Sequence, residues 1–308
     1  MADFQLTTPV ALLIFNRPDT TERVFREIAK AKPPKLLVVA DGPRANRAGE
    51  YEKCQQTRAI IQKVDWDCEV ITNFSENNMG CKLRVASGID WIFEQVEEAI
   101  ILEDDCLPEP SFFRFCEEML ERYRHNDRVS MISGGNLQFG RQRGGGSYYF
   151  SRYTHIWGWA SWRRAWQHYD RDIKQWPQFR DEGWIEALFP NKGEQAYWRN
   201  SFEMVYDGSL DTWDCSWTFT ALLKGMLQVV PNVNLISNIG FGPEATHTHE
   251  VGIHANMPTQ PIAFPLVHPN FVLQDPEGDR FISEDQIAPS FVKRQLRKIN
   301  KQFSRLFK

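Results

Sequence analysis

A chain of 308 residues with 42% hydrophobic and 25% charged side chains carries enough apolar material for one large folded domain, which excludes a disordered or low-complexity protein. Its formal net charge of −4 excludes the electrostatic footprint of a nucleic-acid binder. None of the six cysteines forms a Cys-x-x-Cys pair, and there is neither a signal-peptide pattern after Met1 nor an apolar run of bilayer length, so a cytoplasmic protein with free thiols is expected.

In chain order, residues 10–15 (VALLIF) are a short buried strand that ends at Asn16-Arg17-Pro18. A helix pattern follows over residues 20–31, with a threonine cap at its opening, Val24, Phe25 and Ile28 on one face, and Pro33-Pro34 as its stop. Residues 35–40 (KLLVVA) are a second buried strand, closed by the turn signature Asp41-Gly42-Pro43. A polar helix over residues 47–63 leads to a third strand at 68–73, then a helix at 82–96 and a fourth strand at 99–102 (AIIL) that ends in Glu103-Asp104-Asp105. Strands joined by helices of this length imply right-handed crossovers and a parallel sheet. Such sheets bind ligands beyond the carboxyl ends of their strands, and Asn16-Arg17, Asp41-Gly42 and Glu103-Asp104-Asp105 all belong on that edge.

The middle of the chain changes character. Gly134-Gly135 and Gly144-Gly145-Gly146 bracket a basic loop around Arg141 and Arg143, and an aromatic stretch over 148–166 follows. There Trp157, Trp159 and Trp162 alternate with small residues, which suits a carbohydrate platform or a tightly packed core corner. Residues 291–308 read as a basic amphipathic helix: Val292, Leu296, Ile299, Phe303 and Leu306 form a stripe beside seven lysines and arginines and no acid. It would lie on an anionic membrane surface or dock on the body of the protein.

Three adjacent acids after a buried strand repel one another, and burial penalises their charged forms. A divalent cation removes that penalty; oxygen ligands suit Mg2+ or Mn2+, which usually bridge one or two carboxylates to substrate phosphates. The fork of Arg17 suits a diphosphate, and Asp41 would accept from an imide N–H or a hydroxyl. Asn77-Asn78-Met79-Gly80-Cys81-Lys82, at a helix entrance, would offer backbone N–H groups to an anion, with Lys82 or Arg84 adding charge. Asp211-Thr212-Trp213-Asp214-Cys215-Ser216-Trp217 holds carboxylates for proton transfer, with Asp214 between two tryptophans that would desolvate it, or alternatively helix-start acids ahead of an apolar run. His247 and His249 would share a face of an extended segment and reach a metal.

At Ile101-Leu102-Glu103-Asp104-Asp105, followed by Pro108 and Ser111-Phe112-Phe113, the chain resembles the metal motif of GT-A glycosyltransferases, in the version of the N-acetylglucosaminyltransferase I-like group. The strand ends Phe15-Asn16-Arg17-Pro18 and Asp41 are similar to that group too, and the likeness spans roughly residues 9–120. It implies an α/β, Rossmann-like GT-A fold with a mostly parallel sheet flanked by helices. One domain would cover 1–288, with a donor half to about 125 and an acceptor half beyond it, followed by the C-terminal amphipathic helix 289–308. By the same resemblance Asp105 would bind Mn2+ or Mg2+, Asp104 would lie near the ribose, and Glu103 near the transferred sugar or the base. Asn16 and Arg17 would meet the diphosphate of a nucleotide-sugar, a UDP-sugar by preference, and Asp41 its base or ribose. An N-x-G element near the donor would bring Lys82 close, and an extra C-terminal ligand of the metal would be His249 or His247.

The family's catalytic base lies in a W-D-D-W string; here W-D-C-S-W replaces the second acid, which makes Asp214 the first candidate and Asp211 the second. The reaction implied is inverting transfer to a glycan or lipid-linked acceptor, with peripheral membrane contact through the C-terminal helix. One alternative is a sugar-1-phosphate nucleotidylyltransferase, but such enzymes carry a G-x-G-x-R turn after the first strand and this chain has no glycine there. A non-catalytic carbohydrate-binding module would use the tryptophans but leaves the three polar strand ends unexplained. A nicotinamide enzyme is disfavoured because no G-x-G-x-x-G follows the first strand.

Overall fold

The computed structural model describes residues 4–241 and 253–288. Four apolar runs build the first half of its sheet. β1 (Val10–Ile14), β2 (Lys35–Ala40) and β4 (Glu98–Glu103) are buried along nearly their whole length, as strands covered on both faces must be, whereas the edge strand β3 (Glu69–Phe74) is largely exposed. They are parallel, in the order β3-β2-β1-β4. The connecting helices are α1 (Pro18–Ala31), α2 (Glu50–Ala59) and α3 (Cys81–Gln95). α1 opens at Pro18 rather than at a threonine cap, because the fixed φ of proline suits the first helical position; Arg17 is its N-cap residue, and the Thr21 hydroxyl donates back to the Arg17 carbonyl.

β4 runs into the short β5 (Cys106–Pro108) and then α4 (Ser111–Tyr123), whose phenylalanines 112, 113 and 115 are buried. β6 (Val129–Ser133), β7 (Tyr148–Ser151), β8 (Trp159–Trp162) and β9 (Leu227–Pro231) complete an eight-stranded sheet, β3-β2-β1-β4-β8-β6-β9-β7. β8 enters antiparallel between β4 and β6, and β7 is antiparallel to β9, so six of the eight strands point the same way. This is the mostly parallel, helix-flanked, Rossmann-like α/β sheet that the sequence implied. Between β8 and β9 lie α5 (Arg163–Trp166), α6 (Trp176–Asp181), α7 (Trp184–Leu188), α8 (Lys192–Tyr206) and α9 (Asp214–Lys224). A second apolar core, with Trp176, Phe189, Trp198, Phe202 and Phe219 at its centre, packs among these helices. β10 (Ile236–Asn238) pairs antiparallel with β5, and α10 (Pro276–Ile282) follows.

The aromatic stretch is mostly core. Trp159 and Trp162 are 1% and 2% exposed, so the platform reading fails for them: β8 is buried in mid-sheet and both its indoles face inward. Trp159, Trp166, Trp213 and Trp217 stack into one cluster, with Trp159 and Trp213 centroids 5.7 Å apart and Trp166 and Trp217 5.2 Å apart. In the basic loop, Arg143 forks onto Asp275 at 2.9 and 3.2 Å, and Arg141 lies 4.1 Å over the Phe281 ring. All six cysteines are free. No helix among the described residues is long and apolar enough to cross a membrane. His247, His249 and the C-terminal amphipathic segment lie outside the described residues.

Candidate functional site

The carboxyl ends of β1, β2 and β4 open into a cleft of about 510 Å³, within the size range of small-molecule sites. Register explains the convergence: Leu13 pairs with Glu103 and Ile14 with Ala40, so the three polar strand ends emerge at one level. The opposite wall comes from residues 211–214 ahead of and within the start of α9, from Trp157, and from Asn238 and Gly240 after β10.

The acidic triplet is the charged centre of the cleft. Arg17 Nη1 donates to Asp105 Oδ2 at 2.7 Å and lies 3.7 Å from Asp104 Oδ1, while the Phe15 N–H donates to Asp104 Oδ2 at 3.1 Å. Burial, then the Asp105 charge, pushes the Asp104 carboxyl up to about 7 against the pull of Arg17. Burial, then Asp105, Asp104 and Asp214, pushes Glu103 well above the carboxylate range. The cleft therefore crowds three acids around one paired arginine, which is not enough to keep all three ionised.

No group of three His, Cys, Asp or Glu side chains forms a closed metal cage among the described residues. The donors present are of another kind: Asp105 with Asp104 behind it, lining an open cleft. One or two carboxylates, with phosphates and water completing the shell, are what Mg2+ and Mn2+ ordinarily take, and a cation relieves the excess acid, so these residues fit such an ion. The backbone beside them is shaped to the carboxylate. A Cβ on Gly240 would lie 2.0 Å from Asp105 Oδ2, so only glycine fits. The Ile239 N–H donates to the Asp105 carbonyl at 2.8 Å, and the Gly240 N–H to Asn238 Oδ1 at 3.0 Å.

The chain matches no protein-family model and no curated protein sequence. Solved structures with a similar fold include a UDP-glucose pyrophosphorylase complexed with UDP-glucose, at 10% identity and a TM-score of 0.35, over 73% of this chain and 90% of that one. Another is the 4-diphosphocytidyl-2C-methyl-D-erythritol synthase from Anaerococcus prevotii, at 8% identity and a TM-score of 0.33, over 67% of this chain and 84% of that one. Both are likenesses of fold, with almost no shared sequence.

Several sequence-singled residues hold the cleft together rather than face a ligand. Asp41 Oδ1 accepts from the N–H groups of Gly42 and Met79 at 2.8 and 2.9 Å, and Oδ2 from Asn78 Nδ2 and the Gly80 N–H at 2.9 and 3.2 Å. With four donors its acceptor sites are filled, so it clamps the 77–80 loop and has none left for a base or ribose. Gly42 makes this possible, since a Cβ there would meet the Asn77 backbone at 2.4 Å. Asp211 accepts from the N–H groups of Cys81 and Lys82 at 3.2 and 3.0 Å, so it caps α3. The helix entrance read as an anion site is thus already filled by two of the protein's own carboxylates. Lys82 turns away from the cleft, its Nζ donating to the Val205 carbonyl at 3.3 Å. Asn16 donates to Glu50 Oε1 at 2.9 Å, and the buried Glu50 ties it to Arg44.

Asp214 is the first residue of α9 and lines the cleft; the Thr212 hydroxyl donates to its Oδ1. Of its flanking indoles, Trp217 is wholly buried in the tryptophan cluster, and Trp213, 2% exposed, lines the cleft beside it. The sequence reading left out Arg44, gave Phe15 and Thr212 no role of their own within the strings that contain them, and took Asn238–Gly242 only as a glycine-rich loop that would close over the donor. Arg44 follows the Asp41-Gly42-Pro43 turn and lies 5.5 Å over the Phe15 ring, so its nearness to that turn was a usable signal. Asn238 and Gly240 reach Asp105 through the pairing of β10 with β5, which no local pattern announces.

Proposed function

We propose that the chain is an inverting glycosyltransferase that takes a sugar from a nucleotide-diphosphate donor, with a UDP-sugar favoured, to a hydroxyl of a glycan or lipid-linked acceptor. One observation carries this reading: a single cleft at the carboxyl edge of the sheet gathers an acidic triplet with Asp104 buried at its centre, an arginine beside it and a separate carboxylate on another wall. The kinship with the N-acetylglucosaminyltransferase I-like group belongs to the same proposal. Asp105, with Asp104 behind it, would hold Mn2+ or Mg2+, which when bound offsets the charge of the departing diphosphate. Arg17 binds that diphosphate bidentately. Phe15 and Arg44 flank the nucleoside, and Asp41 keeps the 77–80 loop in place beneath it. Trp157 offers an aromatic face to a sugar ring. Asp214, oriented by Thr212, takes the proton of the acceptor hydroxyl as its oxygen bonds to the anomeric carbon and the bond to the diphosphate breaks.

Asp214→Asn tests this. Loss of a general base typically slows the reaction about 10²–10⁴-fold, so transfer should fall by that factor at saturating donor while nucleotide-sugar affinity by calorimetry is kept. An active Asp214→Asn enzyme would remove Asp214 from the mechanism. Sugar-1-phosphate nucleotidylyl transfer, whose enzymes share this type of sheet, is the second reading. The turn after β1, without glycine, speaks for glycosyl transfer, and pyrophosphate release from UTP with hexose 1-phosphate, in the absence of UDP-sugar turnover, would decide for the second.

A further inference from the structure

We infer that Arg17 is the resident counter-ion of Asp105 and exchanges that carboxylate for the donor's diphosphate, so that a divalent cation and a nucleoside diphosphate each bind this cleft more tightly when the other is present. The inference rests on the nucleotide-sugar reading above. Its starting point is where the guanidinium lies. Nη1 sits 2.7 Å from Asp105 Oδ2, with the two side chains only 17% and 18% exposed. The same oxygen is hemmed in from its other side by Gly240, and the second oxygen, Oδ1, has the Cys106 thiol 3.6 Å away. A divalent ion arriving alone would therefore share Oδ2 with a guanidinium. Two cations side by side in a partly buried cleft repel strongly.

A diphosphate changes that competition. Its oxygens match the arginine fork at least as well as a single carboxylate does, so its arrival gives Arg17 another partner and frees Oδ2. The backbone is built for a side-chain exchange. Arg17 is the N-cap residue of α1, and its carbonyl accepts from the Thr21 N–H at 3.0 Å and the Thr21 hydroxyl at 2.7 Å, with Pro18 fixing the next φ. Only χ rotations are left to carry the guanidinium from carboxylate to phosphate. Linkage then requires that the cation raise nucleotide affinity by the same factor by which the nucleotide raises cation affinity.

The test is Mn2+ binding by full-length protein, read by electron paramagnetic resonance of the free ion and by thermal shift, without any turnover. Wild type should bind Mn2+ weakly alone and about 5–150-fold more tightly with saturating UDP or GDP, the usual span of coupling between two sites. Arg17→Met, which keeps the apolar stem, should bind Mn2+ alone more tightly than wild type by a comparable factor, and adding Asp105→Asn should abolish that gain. Arg17→Gln serves the same purpose should the methionine variant fail to fold. Equal Mn2+ affinity of wild type with and without nucleotide, or of Arg17→Met and wild type alone, overturns the inference. Calorimetry of UDP and GDP on wild type separates the two levels. Nucleotide binding with unchanged Mn2+ affinity in the Arg17 variants sinks this inference and leaves the reading of the cleft intact, whereas no nucleotide binding with or without Mn2+ sinks both.

Discussion

Asp211→Ala removes the carboxylate that receives the Cys81 and Lys82 N–H groups at 3.2 and 3.0 Å and joins the first turn of α3 to the approach of α9. Losing an N-terminal cap costs about 0.5–2 kcal/mol, and losing a charge favourable to the helix dipole about 0.3–1 kcal/mol. Asp211 is exposed, so solvent screens the charge and the lower half of the combined range applies, about 1–2 kcal/mol. At roughly 2–4 °C per kcal/mol for a chain of this size, the melting temperature should fall by about 2–8 °C. Asp211→Asn keeps one acceptor oxygen and should lose about half as much. Transfer by either variant should stay within about tenfold of wild type, well short of the 10²–10⁴ expected when a base is lost. Melting curves by circular dichroism, paired with transfer rates at saturating donor, give both numbers. An unchanged melting temperature together with a hundredfold loss of transfer would refute the reasoning and return Asp211 to the role of base.

Gly240→Ala places a methyl 2.0 Å from Asp105 Oδ2. Overpacking of this kind typically costs about 1–3 kcal/mol; if the acid turn absorbs it, calorimetry should show nucleotide affinity in Mn2+ reduced about tenfold or more, and unchanged affinity would mean that Asp105 is not at the ligand. The buried Nε2 of His155 has no hydrogen-bond partner among the described residues, and burial, helped by His254, lowers the pKa of this side chain from 6.5 to about 4. Its folded pKa lies below the unfolded one, so between pH 6.5 and 4 the unfolded chain holds more protons, and stability is complete above 6.5 and lost as pH falls toward 4. The full difference is worth roughly 3 kcal/mol. His155→Phe should flatten urea-denaturation stability across that window, and an unaltered pH slope would exclude His155 as its source.

The donor side of the fold was legible because parallel strands advertise themselves. VALLI, KLLVVA and AIILE are apolar runs with no alternation, each closed by polar residues, and the crossover rule puts those ends together. The functions of individual side chains at those ends were much less legible. Asp41 and Arg17 look equally well suited to a nucleotide in sequence, yet Asp41 is saturated by the adjoining Gly42 N–H and by a loop 37 to 39 residues further on, a long-range fact. The tryptophans of 157–166 misled for a related reason. Composition shows that indoles are present but not which way they face, and β8 faces them inward because it is inserted from a distance between β4 and β6. Asp214 kept both of its sequence meanings, since a helix-start acid can line a cleft.

The indoles behind the cleft also give the protein an optical property. Trp159, Trp166, Trp213 and Trp217 form a network with centroid separations of 5.2–6.4 Å between contacting pairs. At such spacings the transitions of neighbouring indoles couple, so a change at one ring is expected to register in the near-ultraviolet ellipticity of its neighbours. Trp213 brings the edge of that network to the cleft wall next to Thr212 and Asp214. A ligand entering there is expected to change the near-ultraviolet ellipticity and intrinsic fluorescence of the cluster, which would let occupancy be followed without attaching a label.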